Sequence, residues 1–360
     1  MSMTSEVGTL RAGIIGLGIG RFHLRAYQQI PGVEVVAVAD LSEDRLQEIG
    51  AANGIPSLYT DYRELIARDD LDVVNVCTPN YLHAPVAIEA LEAGKHVACE
   101  KPLASSLPDA ERMVAAAEAA GRVLYVTFNH RERGDVQTLK RYIDEEGLGR
   151  IYHAKAWWLR RSGIPGMGTW FTKKELAGGG PLIDLGVHML DMALYLMGEP
   201  KALSVSGATY AELGPRGLGG SGSERAVAGT AYEVEDLASA FIRLDGGATL
   251  ILETSWATHR ANGDEFGVTL YGTEGGAEIR VVNYVGEHTL TLYRDVAGVP
   301  SDIQPHSGKG EGHTAVLRRF VDAVRSGEWA EHSGQEGLAR TRIIDGCYRS
   351  ARDGREVTLG

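Results

Sequence analysis

Cysteine, basic charge and long apolar runs are all scarce in this sequence of 360 residues. The three cysteines form no Cys-x-x-Cys pair and are odd in number, which argues against a disulfide framework and a structural zinc site. The formal net charge of −12 disfavours nucleic acid or an anionic membrane as the main partner, because both require basic surface. No apolar run is long enough to span a bilayer, and residues 1–10 lack the basic and apolar pattern of a leader. We therefore expect a cytoplasmic protein.

Glycine is abundant, and its first cluster follows a short apolar strand predicted over Leu10–Ile15. Gly16, Gly18 and Gly20 then lead into an amphipathic helix that runs to about Ile30. A glycine turn between a strand and a helix allows a pyrophosphate to approach bare backbone at the helix N-terminus. The third glycine comes one residue early for the G-x-G-x-x-G pattern, so either the turn is tighter or Gly20 serves the phosphate while another residue packs the helix. A plain turn without a ligand is the alternative.

The second predicted strand, Val33–Ala39, ends at Asp40. A carboxylate at this position can accept hydrogen bonds from an adenosine ribose, and it would repel a 2′-phosphate. No Lys or Arg follows until Arg45, so the sequence favours NAD over NADP. Asp40 could also be only the N-cap of the helix that begins near Ser42, and the two roles are compatible.

Strands and helices alternate through the first part of the chain, which predicts an α/β fold with a doubly wound parallel sheet. In such a sheet the ligand binds beyond the carboxyl ends of the strands. One of these ends has the sequence Glu100-Lys101-Pro102, in which Pro102 restricts the backbone of Lys101 and so holds the lysine in place. An isolated Glu-Lys pair is more commonly a solvated ion pair, but the surrounding strands favour a ligand site. The strand ends are Gly16 to Gly20, Asp40, Thr78 to Asn80, Glu100 to Pro102 and Asn129.

Three segments together resemble the glucose-fructose oxidoreductase / inositol dehydrogenase / MocA (Gfo/Idh/MocA) family. They are the glycine turn, Thr78-Pro79-Asn80-Tyr81-Leu82-His83, and Ala93-Gly94-Lys95-His96-Val97 followed by Glu100-Lys101-Pro102. The resemblance covers essentially the whole chain. It implies an NAD(P)-binding Rossmann domain over residues 1–129 and a C-terminal α/β domain over residues 130–360, with a large, mostly antiparallel open sheet that often mediates oligomerisation. We therefore expect a homo-oligomer.

The resemblance also implies that Lys101 is an active-site lysine, commonly with a cis peptide before Pro102. The expected cofactor is NAD. The expected cofactor contacts are Gly16, Gly18, Ile19, Gly20, Asp40, Arg45, Thr78, Pro79, Asn80, His83, Glu100, Lys101, Asn129 and Trp170.

The second stretch with chemical character covers residues 178–191, where three glycines and a proline form a mobile start to a predicted helix. On that helix Asp184, His188 and Asp191 share one face. An Asp and a His at this spacing more commonly form a surface ion pair, but Gly186 costs about 1 kcal/mol relative to alanine and so indicates close packing. The resemblance implies that Asp184 and His188 are the catalytic pair. Such residues could instead bind a metal; we expect none, because hydride transfer to NAD requires no metal.

From Lys201 onward the pattern indicates strands joined by antiparallel hairpins, for example at Asp245-Gly246-Gly247. Strands are predicted over 202–210, 237–244, 249–256, 267–271, 277–282 and 289–293, and helices over 312–325 and 335–351. The segment 213–229, rich in Gly and Ser, is either a lid at the substrate mouth or a disordered loop.

The expected reaction is oxidation of a secondary alcohol, or the reverse reduction. His188 is the predicted base because an imidazole titrates near neutral pH, and Asp184 orients it. Lys101 would hold the alcohol oxygen and stabilise developing alkoxide charge. The expected substrate is a sugar, cyclitol or glycoside. Its expected contacts are Lys101, Arg160, Asp184, His188, Asp191 and His259. The alternatives are an NAD-dependent glycosidase that oxidises its sugar transiently and an NAD(P)-binding regulator without turnover.

Overall fold

The computed structural model describes residues 8–145, 147–220 and 231–360, and the chain divides into two compact units. The first unit contains residues up to Asn129 together with Gly312–Leu338. The second contains His130–Glu311 and Ala339–Gly360. The division after residue 129 coincides with the predicted domain boundary, whereas residues 312–338, which the prediction placed in the C-terminal domain, lie in the first compact unit. No helix in the described ranges is long and apolar enough to cross a membrane.

The first unit is built on a six-stranded parallel sheet with helices between its strands. In chain order its elements are β1 (Leu10–Ile15), α1 (Leu17–Tyr27), β2 (Val33–Ala39), α2 (Glu43–Arg45), β3 (Ser57–Tyr59), α3 (Tyr62–Ile66), β4 (Val73–Val76), α4 (His83–Glu92), β5 (His96–Cys99), α5 (Leu107–Ala120) and β6 (Leu124–Val126). The strand order is β3-β2-β1-β4-β5-β6, and each neighbouring pair is parallel. The order reverses between β1 and β4, which is where such sheets bind their ligands. The predicted doubly wound sheet is confirmed.

The second unit is built on a nine-stranded, mostly antiparallel sheet. The remaining elements of the chain are α6 (Gly134–Glu145), β7 (Ile151–Arg160), α7 (Lys174–Ala177), α8 (Val187–Leu196), β8 (Ala202–Tyr210), β9 (Leu237–Leu244), β10 (Thr249–Ser255), β11 (Asp264–Gly272), β12 (Gly276–Val282), β13 (Leu290–Val296), β14 (Val299–Ile303), α9 (His313–Ser326), α10 (Gln335–Asp353) and β15 (Val357–Thr358). The strand order is β14-β13-β12-β11-β7-β10-β9-β8-β15. β7 and β10 are parallel, and the other neighbouring pairs are antiparallel.

Helix α9 belongs to the first unit because its apolar face completes that unit's core. Leu317, Phe320 and Val321 are fully buried and share one cluster with Leu24 and Tyr27 of α1. The periodicity of residues 312–325 predicts an amphipathic helix, but it does not indicate which sheet the apolar face covers. The sequence alone therefore did not indicate that this helix packs with α1.

The burial pattern of β7 shows that the second sheet is packed on one face. Ala154, Ala156 and Trp158 are buried, whereas Lys155 is exposed and Trp157 is half-buried. Side chains alternate between the two faces of a strand, so the first three residues point to one face. Helix α8 packs against β7. The face that carries Lys155 is more open to solvent.

Candidate active site

The glycine turn connects β1 to α1. Gly16 has a φ of +90°, and a Cβ atom there would lie 2.5 Å from the carbonyl oxygen of Cys77, so only glycine fits this turn. A Cβ atom on Gly20 would lie 2.8 Å from Cγ2 of Ile14. Gly20 therefore allows α1 to pack closely against the sheet, which favours the tighter-turn alternative for its early position.

Two features, one at the start of α1 and one after β4, fit a dinucleotide. Gly18 and Ile19 are exposed in the first turn of α1, and a Cβ atom on Gly18 would meet nothing within 4 Å. Thr78 Oγ1, beyond the end of β4, is buried and has no hydrogen-bond partner among the described residues. A buried unpaired hydroxyl costs about 1–3 kcal/mol, which a ligand that forms a hydrogen bond would recover. The turn thus offers open helix-terminal backbone for phosphates, and the segment after β4 offers a hydroxyl for a polar group.

Asp40 follows β2, and three groups hold its nearly buried carboxylate. The backbone N–H of Leu17 donates to Oδ2 at 2.7 Å, and that of Ser42 donates to Oδ1 at 2.9 Å. Arg45 Nη1 lies 3.1–3.2 Å from the two oxygens, and its side chain is about half exposed. The N-cap of α2 is Ser42, whose Oγ accepts from the N–H of Arg45 at 3.2 Å. Asp40 therefore fixes the start of α1, and the N-cap role considered for it belongs to Ser42.

His83 connects two loops that carry predicted site residues. Its Nδ1 lies 2.7 Å from the carbonyl oxygen of Pro102, and its Nε2 lies 2.9 Å from that of Thr78. The ring is buried, and burial lowers the pKa of His83 although both carbonyls oppose this shift. The Lys101–Pro102 peptide is cis, as the family resemblance implied. Because both ring nitrogens face main-chain carbonyls, His83 supports the two loops, and its predicted contact with the cofactor stays a prediction.

Glu100, immediately after β5, is the acceptor of a buried hydrogen-bond network. His23 Nε2 lies 2.8 Å from Glu100 Oε1, and Thr127 Oγ1 donates to the same oxygen at 2.7 Å. Asn75 Nδ2 lies 2.8 Å from His23 Nδ1, and Asn75 Oδ1 accepts from the hydroxyl of Tyr27 at 2.7 Å. Burial alone would raise the pKa of Glu100, but the hydrogen bond with His23, together with smaller contributions from other groups, lowers it to about 2.

His313 extends this network, and its side chain creates a three-residue cluster with metal-binding residue types. The nitrogen or oxygen atoms with which His23, Glu100 and His313 could ligate a metal lie within 4.8 Å of one another. The amide of Asn75 donates to His23 Nδ1, so the proton of this imidazole is on Nε2, the nitrogen that faces Glu100. A protonated nitrogen has no lone pair for a metal. The cluster is therefore a hydrogen-bond network.

Residues 182–196 of the second unit carry the predicted catalytic pair. Residues Leu182–Gly186 form a π-helical turn and α8 follows directly, whereas the sequence predicted an α-helix throughout. Asp184 lies in the π-helical turn, and its Oδ2 accepts from Trp256 Nε1 at 3.0 Å. The buried ring of His188 lies 4.5 Å from that of His130 and 5.8 Å from that of Trp158, between centroids. π-Helical turns are frequent at functional sites.

Asp191 is fully buried in an ion-pair network. Arg131 donates to its two carboxylate oxygens at 2.6 and 2.8 Å, and Arg340 Nε donates to Oδ1 at 3.0 Å. Arg340 Nη2 also donates to Glu199 at 2.7 Å. The carboxylate that was predicted to contact substrate is thus surrounded by arginines. These ion pairs give the carboxylate a structural role, and its predicted contact with substrate stays a prediction.

Three further predicted contacts also lie in the second unit. Arg160 donates to Asp264 at 2.8 Å; burial opposes its ionisation, but Asp264, Tyr284 and Asp184 raise its pKa. Two predicted contacts occupy loops: His259 is exposed between β10 and β11, and Trp170 begins a 3₁₀ turn and stacks on Phe171 with ring centroids 3.8 Å apart.

The remaining predicted site residues of the first unit follow the ends of its strands. Pro79 and Asn80 begin a 3₁₀ turn, and Asn129 begins another after β6. Lys101 is half-buried. In the second unit, the predicted loop begins with a short turn, and Gly220 forms a bridge with Ile164. Residues 221–229 of that loop lie outside the described residues.

Sequence analysis did not identify His130 as a neighbour of His188 or Trp256 as the partner of Asp184. Both residues carried a positional signal. His130 directly follows Asn129, a predicted strand-end residue, and Trp256 ends a predicted strand. Their pairing with α8 and the π-helical turn required the tertiary structure.

Known protein families match the two units of this chain separately. Residues 10–128 match the oxidoreductase family with an NAD-binding Rossmann fold, and residues 136–278 match the Gfo/Idh/MocA C-terminal domain. The chain belongs to the Gfo/Idh/MocA family. Its first unit is therefore an NAD-binding Rossmann domain, and NAD is the cofactor of this Gfo/Idh/MocA oxidoreductase.

Relatives within the Gfo/Idh/MocA family include several sugar dehydrogenases. D-glucoside 3-dehydrogenase of Escherichia coli K12 is 34% identical over 364 residues, which cover 99% of each chain. Levoglucosan dehydrogenase of Pseudarthrobacter phenanthrenivorans is 34% identical over 380 residues, with 95% and 96% of the two chains covered. A solved levoglucosan dehydrogenase in complex with NADH and L-sorbose has a TM-score of 0.85 and 27% identity, and the match covers 98% of this chain and 100% of that one.

Proposed function

We propose that this protein is an NAD-dependent dehydrogenase that acts on a secondary hydroxyl of a cyclic sugar, cyclitol or glycoside. The observation that carries the proposal is the presence of Asp184 and His188 on one helical segment in a chain whose other unit binds NAD. The sugar dehydrogenases among its relatives support this substrate class.

In the proposed reaction, NAD supplies the hydride acceptor. His188 removes the hydroxyl proton, while the carbon–oxygen double bond forms as hydride leaves the same carbon. Asp184 orients His188, and Trp256 donates a hydrogen bond to the carboxylate of Asp184. Lys101 holds the alcohol oxygen and stabilises the developing alkoxide. Arg160, whose guanidinium also donates to Asp264, remains a proposed substrate contact.

The substitutions Lys101→Ala and His188→Ala test the proposed roles. Each should lower turnover by a factor of about 100 or more and leave NADH affinity unchanged, because each removes a group that acts in the chemical step. Steady-state kinetics and fluorescence titration of NADH measure the two effects. Lys201→Ala, at an exposed lysine just before β8, is the matched control. Near-normal turnover in either variant removes that residue from the mechanism.

A panel of cyclitols, sugars, glycosides, 2-propanol and 2-hydroxy acids tests the substrate class. Charged and hydroxyl groups in a buried site favour substrates that supply several hydroxyls, because each unpaired buried group costs about 1–3 kcal/mol. NADH absorbance and product analysis are recorded together. A simple alcohol that outperforms every cyclic polyol contradicts the proposal. Cleavage of glycosides without net NADH selects the glycosidase alternative, and the absence of any turnover selects the regulator.

We further propose that the open face of the second sheet forms a homo-oligomer. Phe241, Ile251 and Lys155 are neighbours across β9, β10 and β7 on this face, and Ile251 is 36% exposed. An Ile251→Glu substitution should shift the mass measured by light scattering toward the monomer. Leu41→Glu, at an exposed leucine of the first unit, should not. An unchanged mass in Ile251→Glu contradicts this interface.

A further inference from the structure

The carboxylate of Glu235 holds the backbone at the start of the segment that carries Asp184 and His188. The N–H groups of Gly180 and Leu182 donate to Glu235 Oε1 at 3.0 and 3.1 Å. The hydroxyl of Tyr348, on α10, donates to the same oxygen at 2.9 Å. Glu235 is buried, and it lies in the chain just before β9. Three donors from two other parts of the chain thus converge on one oxygen.

The glycines before the π-helical turn are required by this contact. A Cβ atom on Gly179 would collide with the hydroxyl of Tyr348, and one on Gly180 would collide with the main-chain oxygen of Glu235. Gly178 adopts a φ of +85°. The sequence predicted that these glycines form a mobile start to the helix. The structure shows that they allow the backbone to approach Glu235 and Tyr348 closely.

A second connection runs from the residue next to Glu235 to the side chain of Asp184. The main-chain oxygen of Asp236 accepts from the N–H of Trp256 at 3.0 Å. The indole Nε1 of Trp256 donates to Asp184 Oδ2 at 3.0 Å. The dipeptide Glu235-Asp236 therefore fixes both the backbone that precedes Asp184 and the tryptophan that binds its carboxylate.

The chemistry of Glu235 suits this task. The first N–H groups of a helical segment have no partner within it, and a buried segment must find acceptors elsewhere. A carboxylate oxygen can accept several hydrogen bonds, and negative charge is favourable at the start of a helix. Burial raises the pKa of Glu235, and the donors from Leu182, Tyr348 and Gly180 oppose that shift.

We propose that Glu235 is a positioning residue that sets the place of Asp184 by holding the backbone of Gly180 and Leu182. It acts through Asp184, with no contact to substrate of its own. The proposal rests on the proposed function, because Asp184 is the group that Glu235 would serve. A residue that only stabilised the fold would change the unfolding temperature without a specific change in kcat.

The kinetic test compares Glu235→Ala with Glu235→Gln. The alanine variant should lose kcat by about 10- to 100-fold, since a displacement of about 1 Å at a reacting group has effects of this size. NADH affinity should stay within about twofold. Glutamine keeps an acceptor oxygen and should recover most of the kcat. Glu233→Ala is the matched control, because its exposed carboxylate accepts from Lys174 N at the start of α7 instead. A kcat within about twofold of wild type in folded Glu235→Ala overturns the proposal.

A spectroscopic test is independent of activity. The indole N–H resonance of Trp256, assigned with Trp256→Phe, reports the bond to Asp184 and should move in Asp184→Asn. It should also move in Glu235→Ala and return toward its original position in Glu235→Gln. If Glu235→Ala does not fold, Tyr348→Phe removes one donor and should move the resonance in the same direction by less. An unmoved resonance in the folded variants overturns the proposal, whereas a moved resonance in a protein without sugar oxidation overturns only the proposed function.

Discussion

The ionised state of Glu100 predicts a specific acid sensitivity of the first unit. Its pKa is lowered from 4.5 to about 2 in the folded protein, chiefly by His23 acting against burial. A difference of about 2.5 pKa units corresponds to about 3 kcal/mol of stability. Because the folded-state pKa is the lower one, this contribution is complete above the unfolded value of 4.5 and is lost as the pH falls toward about 2.

The perturbation is Glu100→Gln, which keeps the shape of the side chain and removes its charge. At pH 7 the variant should unfold with a free energy about 3 kcal/mol smaller than that of wild type, and at pH 3 the gap should fall to about half. Urea unfolding at pH 7, 5, 4 and 3 measures this gap. Hydrogen–deuterium exchange of the β5 peptide assigns the loss to the first unit. Glu34→Gln, at an exposed carboxylate of β2, is the matched control.

A gap that stays constant from pH 7 to pH 3 would refute the reasoning, because it would show that charge is not what stabilises Glu100. An equal gap in Glu34→Gln would refute it too, since the loss would then follow from a general change in surface charge. The network itself is tested by His23→Phe, which removes the donor that faces Glu100. In that variant the pH dependence should shrink, because the main cause of the lowered pKa is gone.

Three further predictions address the cofactor turn and the second unit. Gly18→Ala should preserve the unfolding temperature and weaken NADH binding measured by calorimetry, because its Cβ would enter open space. Gly16→Ala should lower the unfolding temperature, because its Cβ would collide with Cys77. Equal unfolding temperatures of the two variants contradict this prediction. Asp40→Ala should reduce the preference for NAD over NADP, and an unchanged ratio of calorimetric affinities argues against Asp40. Asp191→Asn should lower the free energy of unfolding by about 3–5 kcal/mol in urea titrations, because it leaves buried arginine charge unbalanced; wild-type stability would exclude the proposed network.

Strands with strong apolar patterns were predictable from the sequence, and short edge strands were not. β1, β2, β8 and β9 begin and end where the sequence predicts. The sequence analysis missed three short strands, β3, β14 and β15. β3 is only half-buried and lies at an edge of the first sheet, and β14 and β15 form the two edges of the second sheet. A strand that buries little apolar surface leaves little hydrophobic pattern to recognise. The doubly wound parallel sheet and the family were accessible because they depend on the long, regular elements.

The candidate site was predictable as a set of residues but not as a set of contacts. Helical spacing placed Asp191 on the same face as Asp184 and His188, yet spacing does not show that Arg340, distant in sequence, already binds its carboxylate. In the same way, His83 follows a strand end, but only the fold shows that its two ring nitrogens face main-chain carbonyls. Whether a polar side chain faces a ligand depends on which of its atoms the protein has already satisfied.

Buried carboxylates explain how each unit can hold a proposed reactive group without touching the substrate. In the first unit, Glu100 precedes Lys101 and is fixed by donors from α1 and from the segment after β6. In the second, Glu235 is fixed by Tyr348 and by the backbone that leads to Asp184. A buried carboxylate oxygen that accepts several hydrogen bonds resists displacement, because each lost bond leaves an unpaired buried group. Substitutions at these two acids should therefore change the rate of the reaction more than the identity of the sugar that is accepted.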